Sequence, residues 1–172
     1  TDVTNLFLLA SSRVSILDGT VEVVETMKGS DVAGCAYEQI FADIALDRDA
    51  HPNALRIVTG TFVTTDDGTG VVHLAPAFGN DDFDASRTFN LPMPVHVTPN
   101  GHFKEIIREF AGRAIKTFTY ADGTVEEGAD KDIIIALKKA GKILKSSMDY
   151  VHNYPHCWRT GNPVMYYARD SW

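Results

Sequence analysis

The pentapeptide Asp66-Asp67-Gly68-Thr69-Gly70 constrains this chain more than any other stretch. Neither a helix nor a strand continues through it. The glycines lack the side chain that restricts the backbone, and aspartates favour turns by bonding their own main chain. Apolar and β-branched residues flank it as "LRIVTGTFVTT" (Leu55 to Thr65) and "VVHLA" (Val71 to Ala75), the composition of paired strands. The pattern predicts a β-hairpin closed at Asp66 to Gly70, with His73 on the returning strand. Pro76 and Gly79 then interrupt that strand, and "NDDFDASRTFN" (Asn80 to Asn90) reads as a short helix. Asn80 or Asp81 is its expected cap, with negative charge in the first turn where the helix dipole favours it.

Elsewhere the signals are mixed. Leu6, Leu9, Val14 and Leu17 are loosely helical in spacing, after a cap at Thr4 or Asn5, and "TVEVVETMKG" (Thr20 to Gly29) alternates like a strand. "HFKEIIREFAG" predicts a second short helix. "DKDIIIALKKAGK" predicts the clearest one, from Asp130, with late lysines and a stop at Gly141. "KILKSSMDYVHNYP" (Lys142 to Pro155) reads as a returning strand. No regular βαβ rhythm and no internal repeat appears, so the expected class is α+β, around a mostly antiparallel or barrel-like sheet.

Composition narrows the function classes. A hydrophobic fraction of 44% and a charged fraction of 23% over 172 residues suit one globular domain. No apolar run approaches the roughly 20 residues of a membrane span, and no N-terminal signal peptide is apparent. Cys35 and Cys157 are therefore expected as reduced thiols. A net charge of -7 argues against broad, sequence-blind nucleic-acid binding, although not against contact with one nucleic-acid end.

The residues alone leave the chemistry open. Asp82 can serve as a capping carboxylate or bind a cation such as an ammonium group. His73, between apolar neighbours, is more often a hydrogen-bonded core histidine than a pocket wall. His51, His96 and His102 read as surface residues. In "HNYPHCWR" (His152 to Arg159) the position of a second C-x-x-C cysteine is held by Thr160, so packing around Trp158 is expected rather than zinc. No Walker motif, G-x-S-x-G elbow or cysteine nucleophile motif is present.

In combination the motifs are more specific. "DDGTGVVHLAPAFGNDDF" resembles the editing motif of isoleucyl-tRNA synthetases, in their inserted connective-peptide domain. "MKGSDVAGCAYEQIF" is similar to a further landmark of that family. "HNYPHCWRTGNPVMYYARDSW" resembles the segment that rejoins the catalytic core. The His-x-Ala-Pro form at His73 to Pro76 favours the isoleucyl member over the valyl and leucyl relatives that share the fold. The resemblance implies an editing domain over residues 1–150 and a rejoining segment over 151–172. The family's Thr-Thr-x-Pro-Trp-Thr segment has no counterpart here, so the chain resembles a fragment lacking its N-terminal threonine-rich portion.

The implied activity is hydrolysis of valine wrongly attached to tRNA(Ile), and of valyl-adenylate. One methylene distinguishes isoleucine from valine by only about 1–3 kcal/mol in an apolar pocket, a limit for which isoleucyl-tRNA synthetase is the standard example. A second, smaller pocket must then admit valine and hydrolyse it. In that frame Asp82 matches the carboxylate that binds the α-ammonium, and His73 matches the residue limiting side-chain size. Gly68 and Gly70 allow close backbone approach, and Ala75 and Phe78 complete the substrate-binding set. No residue matches a protein nucleophile, so a positioned water attacks, assisted by the hydroxyls of the terminal adenosine. The implied partners are the tRNA(Ile) 3′ acceptor end, its valine moiety and the rest of the synthetase, in the cytoplasm and away from membranes. No cofactor is implied for this domain; ATP and Mg²⁺ belong to the parent enzyme. Zinc, held in some relatives by a C-x-x-C, is not predicted with Cys157 alone. The rival class is a non-catalytic module that holds a tRNA acceptor end.

Overall fold

The computed structural model describes residues 5–42, 44–147 and 151–170. They divide into two compact units, one formed by residues 1–38 and 48–92 and the other by 39–47 and 93–172.

In the first unit the regular elements are few. A 3₁₀ helix, Ser11–Ile16, follows an extended Ala10, and a second 3₁₀ turn spans Gly29–Val32. The expected cap is thus displaced from Asn5 to Ala10, and Thr4 lies outside the described residues. Helix α1, Asn80–Phe89, forms where the sequence placed it. Its cap differs: Gly79 is the N-cap, in extended conformation and without a side-chain cap bond, so Asn80 and Asp81 stand inside the first turn. At the other end Asn90 adopts the left-handed conformation, φ 51°, that closes helices. Loop side chains satisfy the carbonyls left open there. Asn53 Nδ2 donates to Phe89 O at 2.8 Å, and His51 Nδ1 donates to Asn90 O at 3.2 Å. Asn90 Nδ2 returns a bond to Ala50 O at 2.9 Å.

The strands expected at Thr20 to Gly29, Leu55 to Thr65 and Val71 to Ala75 are absent as ladders among the described residues. Among the described residues the pairing there is limited to an isolated antiparallel bridge, Ala36 to Arg56, with Gly34 N–H donating to Ile57 O, Ile57 N–H to Cys35 O and Tyr37 N–H to Leu55 O. Thr20 to Lys28 is exposed throughout, so its alternation of valine and glutamate buries neither face. Strands need cross-strand partners to stabilise them, and β-propensity without such partners leaves irregular chain.

The second unit holds the core. Ile107, Phe110 and Ala129 are buried, with Phe41, Ile44, Phe103, Ile133 and Ala136 packed against them. Phe110 meets Phe41 edge-on at 6.2 Å between centroids and Phe103 at 5.9 Å, favourable arrangements for aromatic quadrupoles. Helix α2, Asp130–Lys139, supplies Ile133 and Ala136 from one face. It begins with acidic residues and ends with Lys138 and Lys139, and Gly141 follows at φ 65°. The helix expected over His102 to Gly112 reduces to a 3₁₀ turn, Arg108–Phe110. The strand expected over Lys142 to Pro155 does not form among the described residues, and residues 148–150 lie outside them.

The named sheet has two antiparallel strands, β1 (Phe118–Thr119) and β2 (Val125–Glu126), paired Phe118 to Glu126 and Thr119 to Val125. The architecture is therefore α+β with a small open sheet, rather than the barrel-like one expected. Asp122-Gly123 closes the hairpin, with Gly123 at φ 85°, and Tyr120 N–H donates to Thr124 O at 2.8 Å. A polar cluster braces it. Tyr120 Oη donates to Glu126 Oε2 at 2.6 Å, and His102 Nε2 lies 3.1 Å from Glu126 Oε1. His102 Nδ1 faces Asn100 O at 3.1 Å, and the ring packs edge-on against Phe118. His102 is thus a half-buried bracing residue rather than a surface one, and half-buried His96 stacks on Phe103.

The Tyr120 hydroxyl, and after it His102, holds the Glu126 carboxyl below its usual range; the same hydrogen bond, followed by burial, raises the Tyr120 phenol. A lowered carboxyl contributes stability above its ordinary range and loses it as pH falls through the lowered value. A raised phenol contributes fully below its ordinary range and loses that as pH rises towards the raised value. Hairpin order, followed by NMR amide shifts of Thr119 and Val125, should be flat around neutrality and fall at both extremes. Tyr120→Phe should move the acid transition upward, towards an ordinary glutamate; an unmoved transition would mean that the phenol does not hold the carboxylate.

Candidate functional site

The segment from Asp66 to Asp82 contains two turns followed by the start of α1. In the first turn Gly68 and Gly70 have φ of 59° and 76°, a region that disfavours side chains. Asp67 Oδ1 accepts the Gly68 amide at 2.7 Å, and Thr69 Oγ1 accepts the Val71 amide at 3.2 Å. The turn exists as expected, but no paired strands flank it. Instead Ala10 N donates to Thr69 O at 2.7 Å, Ser12 Oγ to Thr65 O at 2.9 Å, and Arg13 Nε to Gly68 O at 2.8 Å. A Cβ at Gly70 would stand 2.5 Å from Ala10 Cβ, so the approach of the two segments requires glycine there.

The second turn runs from Ala75 to Phe78. Pro76 presets the φ of its first central position, and Phe78 N–H donates to Ala75 O at 2.8 Å. Pro76 and Ala77 are buried. Gly79 then leads into α1, whose buried residues are Ala85 and Ser86.

Asp82 joins this turn to the helix. Its Oδ2 accepts the Ala75 amide at 3.0 Å, reaching back seven residues from the third helical position. A Cβ at Gly79 would lie 2.5 Å from Oδ2 and 2.9 Å from Cγ, so the carboxylate rests where a larger residue would put its side chain. Gly79 is at φ -145°, extended backbone open to any residue, and its requirement is therefore space. Asp82 is half-buried and Asp81 exposed, which separates the adjacent carboxylates. One carboxylate oxygen is engaged, and Oδ1 has no further bond among the described residues.

The structure thus brings Ala75, Phe78 and Asp82 together, and it ties Gly68 and Gly70 to the 10–13 segment. His73 stands between the turns on irregular chain and is exposed, so the expectation of a mid-strand residue among apolar neighbours does not hold. Val71 and Val72, which would have enclosed it in a strand pair, are exposed too. Gly79 was read only as a strand interruption, not as the space for the Asp82 carboxylate, and Arg13 escaped the sequence reading. A glycine directly before Asn-Asp-Asp was a usable signal for the first. Arg13 acts on residues too distant in sequence for local pattern to reveal.

Around Cys157 the chain makes a tight turn. Gly161 N donates to Cys157 O, and Cys157 N to Asn162 O, each at 2.8 Å. The Thr160 hydroxyl, then the Thr160 and Arg159 amides, hold the thiol below its usual value. Among the described residues no group of three or more His, Cys, Asp or Glu side chains is placed to hold a metal ion. Trp158 is not the packing centre expected, being 85% exposed with the Arg159 guanidinium 4.7 Å from its ring centroid. Both cysteines are free thiols.

Sequence comparison adds the decisive finding. No protein-family model matches the chain. It is 37% identical over 165 residues to the isoleucine-tRNA ligase of Clostridium acetobutylicum, which covers 96% of this chain and 14% of that protein. It is 40% identical over 164 residues to the enzyme of Bdellovibrio bacteriovorus, covering 95% and 14%. It is 38% identical over 178 residues to the probable cytoplasmic isoleucine-tRNA ligase of Dictyostelium discoideum, covering 97% and 16%. The chain belongs to the isoleucine-tRNA ligase family. It spans 14–16% of the length of these relatives. No helix among the described residues is long and apolar enough to cross a membrane.

Gly79→Ala tests the seat of the carboxylate. The new methyl should displace Asp82, break its bond to the Ala75 amide and cost about 1–2 kcal/mol in denaturant unfolding. In an Asp82→Ala background the same change should cost under about 0.5 kcal/mol, because the clash and the bond are both gone. Equal costs in the two backgrounds would place the effect of Gly79 elsewhere.

Proposed function

We propose that this chain forms part of the editing site of an isoleucine-tRNA ligase, clearing valine from tRNA(Ile) and from valyl-adenylate by hydrolysis. The observation that carries the reading is the setting of Asp82. One of its oxygens is fixed by the Ala75 amide, and the other is left to meet a cation. A half-buried carboxylate held in one orientation suits the α-ammonium group that every misattached amino acid presents, through a charge-assisted bond. Fixing the ammonium places the ester relative to the turns on either side of His73. The nucleophile is water, oriented with help from the hydroxyls of the tRNA terminal adenosine. His73 limits the size of the side chain admitted, with Ala75 and Phe78 beside it and Gly68 and Gly70 giving close backbone approach. The partners are the tRNA(Ile) acceptor end and the remainder of the synthetase, in the cytoplasm. Synthesis of isoleucyl-tRNA with ATP and Mg²⁺ belongs to the parent enzyme.

The exposure of His73 favours a second reading, in which the segment holds an acceptor end without selecting or hydrolysing it.

Deacylation by the full-length synthetase separates the two. Asp82→Ala should slow hydrolysis of valyl-tRNA(Ile) by at least about tenfold, since a charge-assisted bond of about 1.5–3 kcal/mol corresponds to a decade or more in rate. Isoleucine activation should hardly change. His73→Ala should extend hydrolysis to isoleucyl-tRNA. Wild-type clearance of valyl-tRNA by Asp82→Ala, with isoleucyl-tRNA spared by His73→Ala, would leave the holding module as the reading.

A further inference from the structure

From Val151 to Ala168 the chain exposes large apolar side chains and almost no charge. Val151, Tyr154, Trp158, Val164 and Tyr166 are exposed, with Val151 at 93%, Trp158 at 85% and Tyr166 at 65%. Arg159 is the single formally charged residue of that stretch, the histidines being neutral. The turn that presents Trp158 is nevertheless firmly held. Besides the backbone bonds at Cys157, Val164 N–H donates to Pro155 O at 3.1 Å, and His156 and Pro163 form an antiparallel bridge. Asn162 clamps the turn to β1: Thr119 N–H donates to Asn162 Oδ1, and Asn162 Nδ2 donates to Thr119 O, each at 2.8 Å. An indole on a braced turn has little freedom left to lose, which lowers the cost of docking it. The Arg159 guanidinium lies over the ring, and Arg159 forms no ion pair among the described residues.

This composition selects the partner. Interface cores are depleted in charge, and their strongest anchors are Trp, Tyr and Arg. Single-stranded nucleic acid needs cations along its backbone as well as stacking rings, and a single arginine does not supply them. A protein surface is the better fit, and most of the length of each related synthetase lies outside the stretch that this chain matches. We propose that Trp158 anchors a contact within the parent synthetase, seated in an apolar pocket formed by polypeptide outside these residues, with a carboxylate at the rim to pair Arg159. A guanidinium taken out of water needs such a partner. Within one polypeptide the two surfaces meet at high effective concentration, so a small patch built on one tryptophan can hold them together. Trp158 belongs to the second unit and Asp82 to the first, and the contact does not depend on editing.

Hydroxyl-radical footprinting of the full-length synthetase provides the test. Trp158 should be oxidised at least about tenfold more slowly than in the same enzyme unfolded in urea, since opening such a contact costs a decade in population, about 1.4 kcal/mol. The protection should not depend on enzyme concentration or on added tRNA(Ile). Trp158→Ala should raise limited proteolysis between residues 151 and 170 by about tenfold or more, with Trp158→Phe intermediate, because cleavage follows the population of the open form. A purely local role would give no such rise, as the indole is open in the chain itself. The wild-type footprint needs no variant, so it decides the matter even if a substitution fails to fold. Oxidation of Trp158 in the folded enzyme at the rate seen in urea overturns the proposal, as does wild-type proteolysis in Trp158→Ala. Protection that appears only with tRNA(Ile) overturns it in favour of a stacking platform for RNA, and protection only at high enzyme concentration in favour of a contact between copies.

Discussion

The bond from the Ala75 amide to the Asp82 carboxylate is the constraint around which the candidate site is arranged. It spans a proline turn and the entry to α1, two features that would otherwise be joined only through the chain. Proline removes a backbone donor and fixes one φ, which sets the turn but not the direction in which the helix leaves it. A carboxylate in the first helical turn settles that direction. It also sits in the first turn of α1, where the helix dipole favours negative charge. Gly79 makes the arrangement possible through absence: any side chain there would occupy the space of the carboxylate.

The turn at Asp66 to Gly70 follows a different principle. Its glycines make it permissive, and permissive backbone keeps one shape only when something outside holds it. The four bonds from Ala10, Ser12 and Arg13 do that. A local sequence pattern thus needs a distant segment to become a defined surface.

Helices α1 and α2 were legible because their signals are local: acidic first turns, lysines at the end of α2, and Asn90 or Gly141 where each stops. The hairpin of β1 and β2 was legible in principle from Asp122-Gly123, although its short flanks gave little alternation. The longer strands were read from β-branched composition, which reports suitability for a sheet and not the presence of a partner. Thr20 to Lys28 shows the difference, with a strand's alternation and no neighbour to pair with. At the candidate site, the sequence placed Asp82 at the start of a short helix, and it stands in the first turn of α1. The sequence could not show which amide it accepts, that Gly79 lies beneath it, or that Arg13 reaches the glycine turn. Each of those depends on tertiary approach rather than on spacing. His73 was misplaced for the same reason, since its surroundings were inferred from flanking valines that proved exposed.

The contact between Ala10 and Gly70 has a consequence for how such a chain can vary over time. Neither residue would stand out in its own neighbourhood, one beside a 3₁₀ turn and the other at the end of a loop. Yet the methyl of one fills the place that a methyl on the other would take. Drift at either position is bounded by the other, so a bulkier residue at 10 requires the loop around 70 to retreat. Lineages that lengthen or reshape this loop should therefore carry a matching change near residue 10, and the two sites would be inherited as a pair.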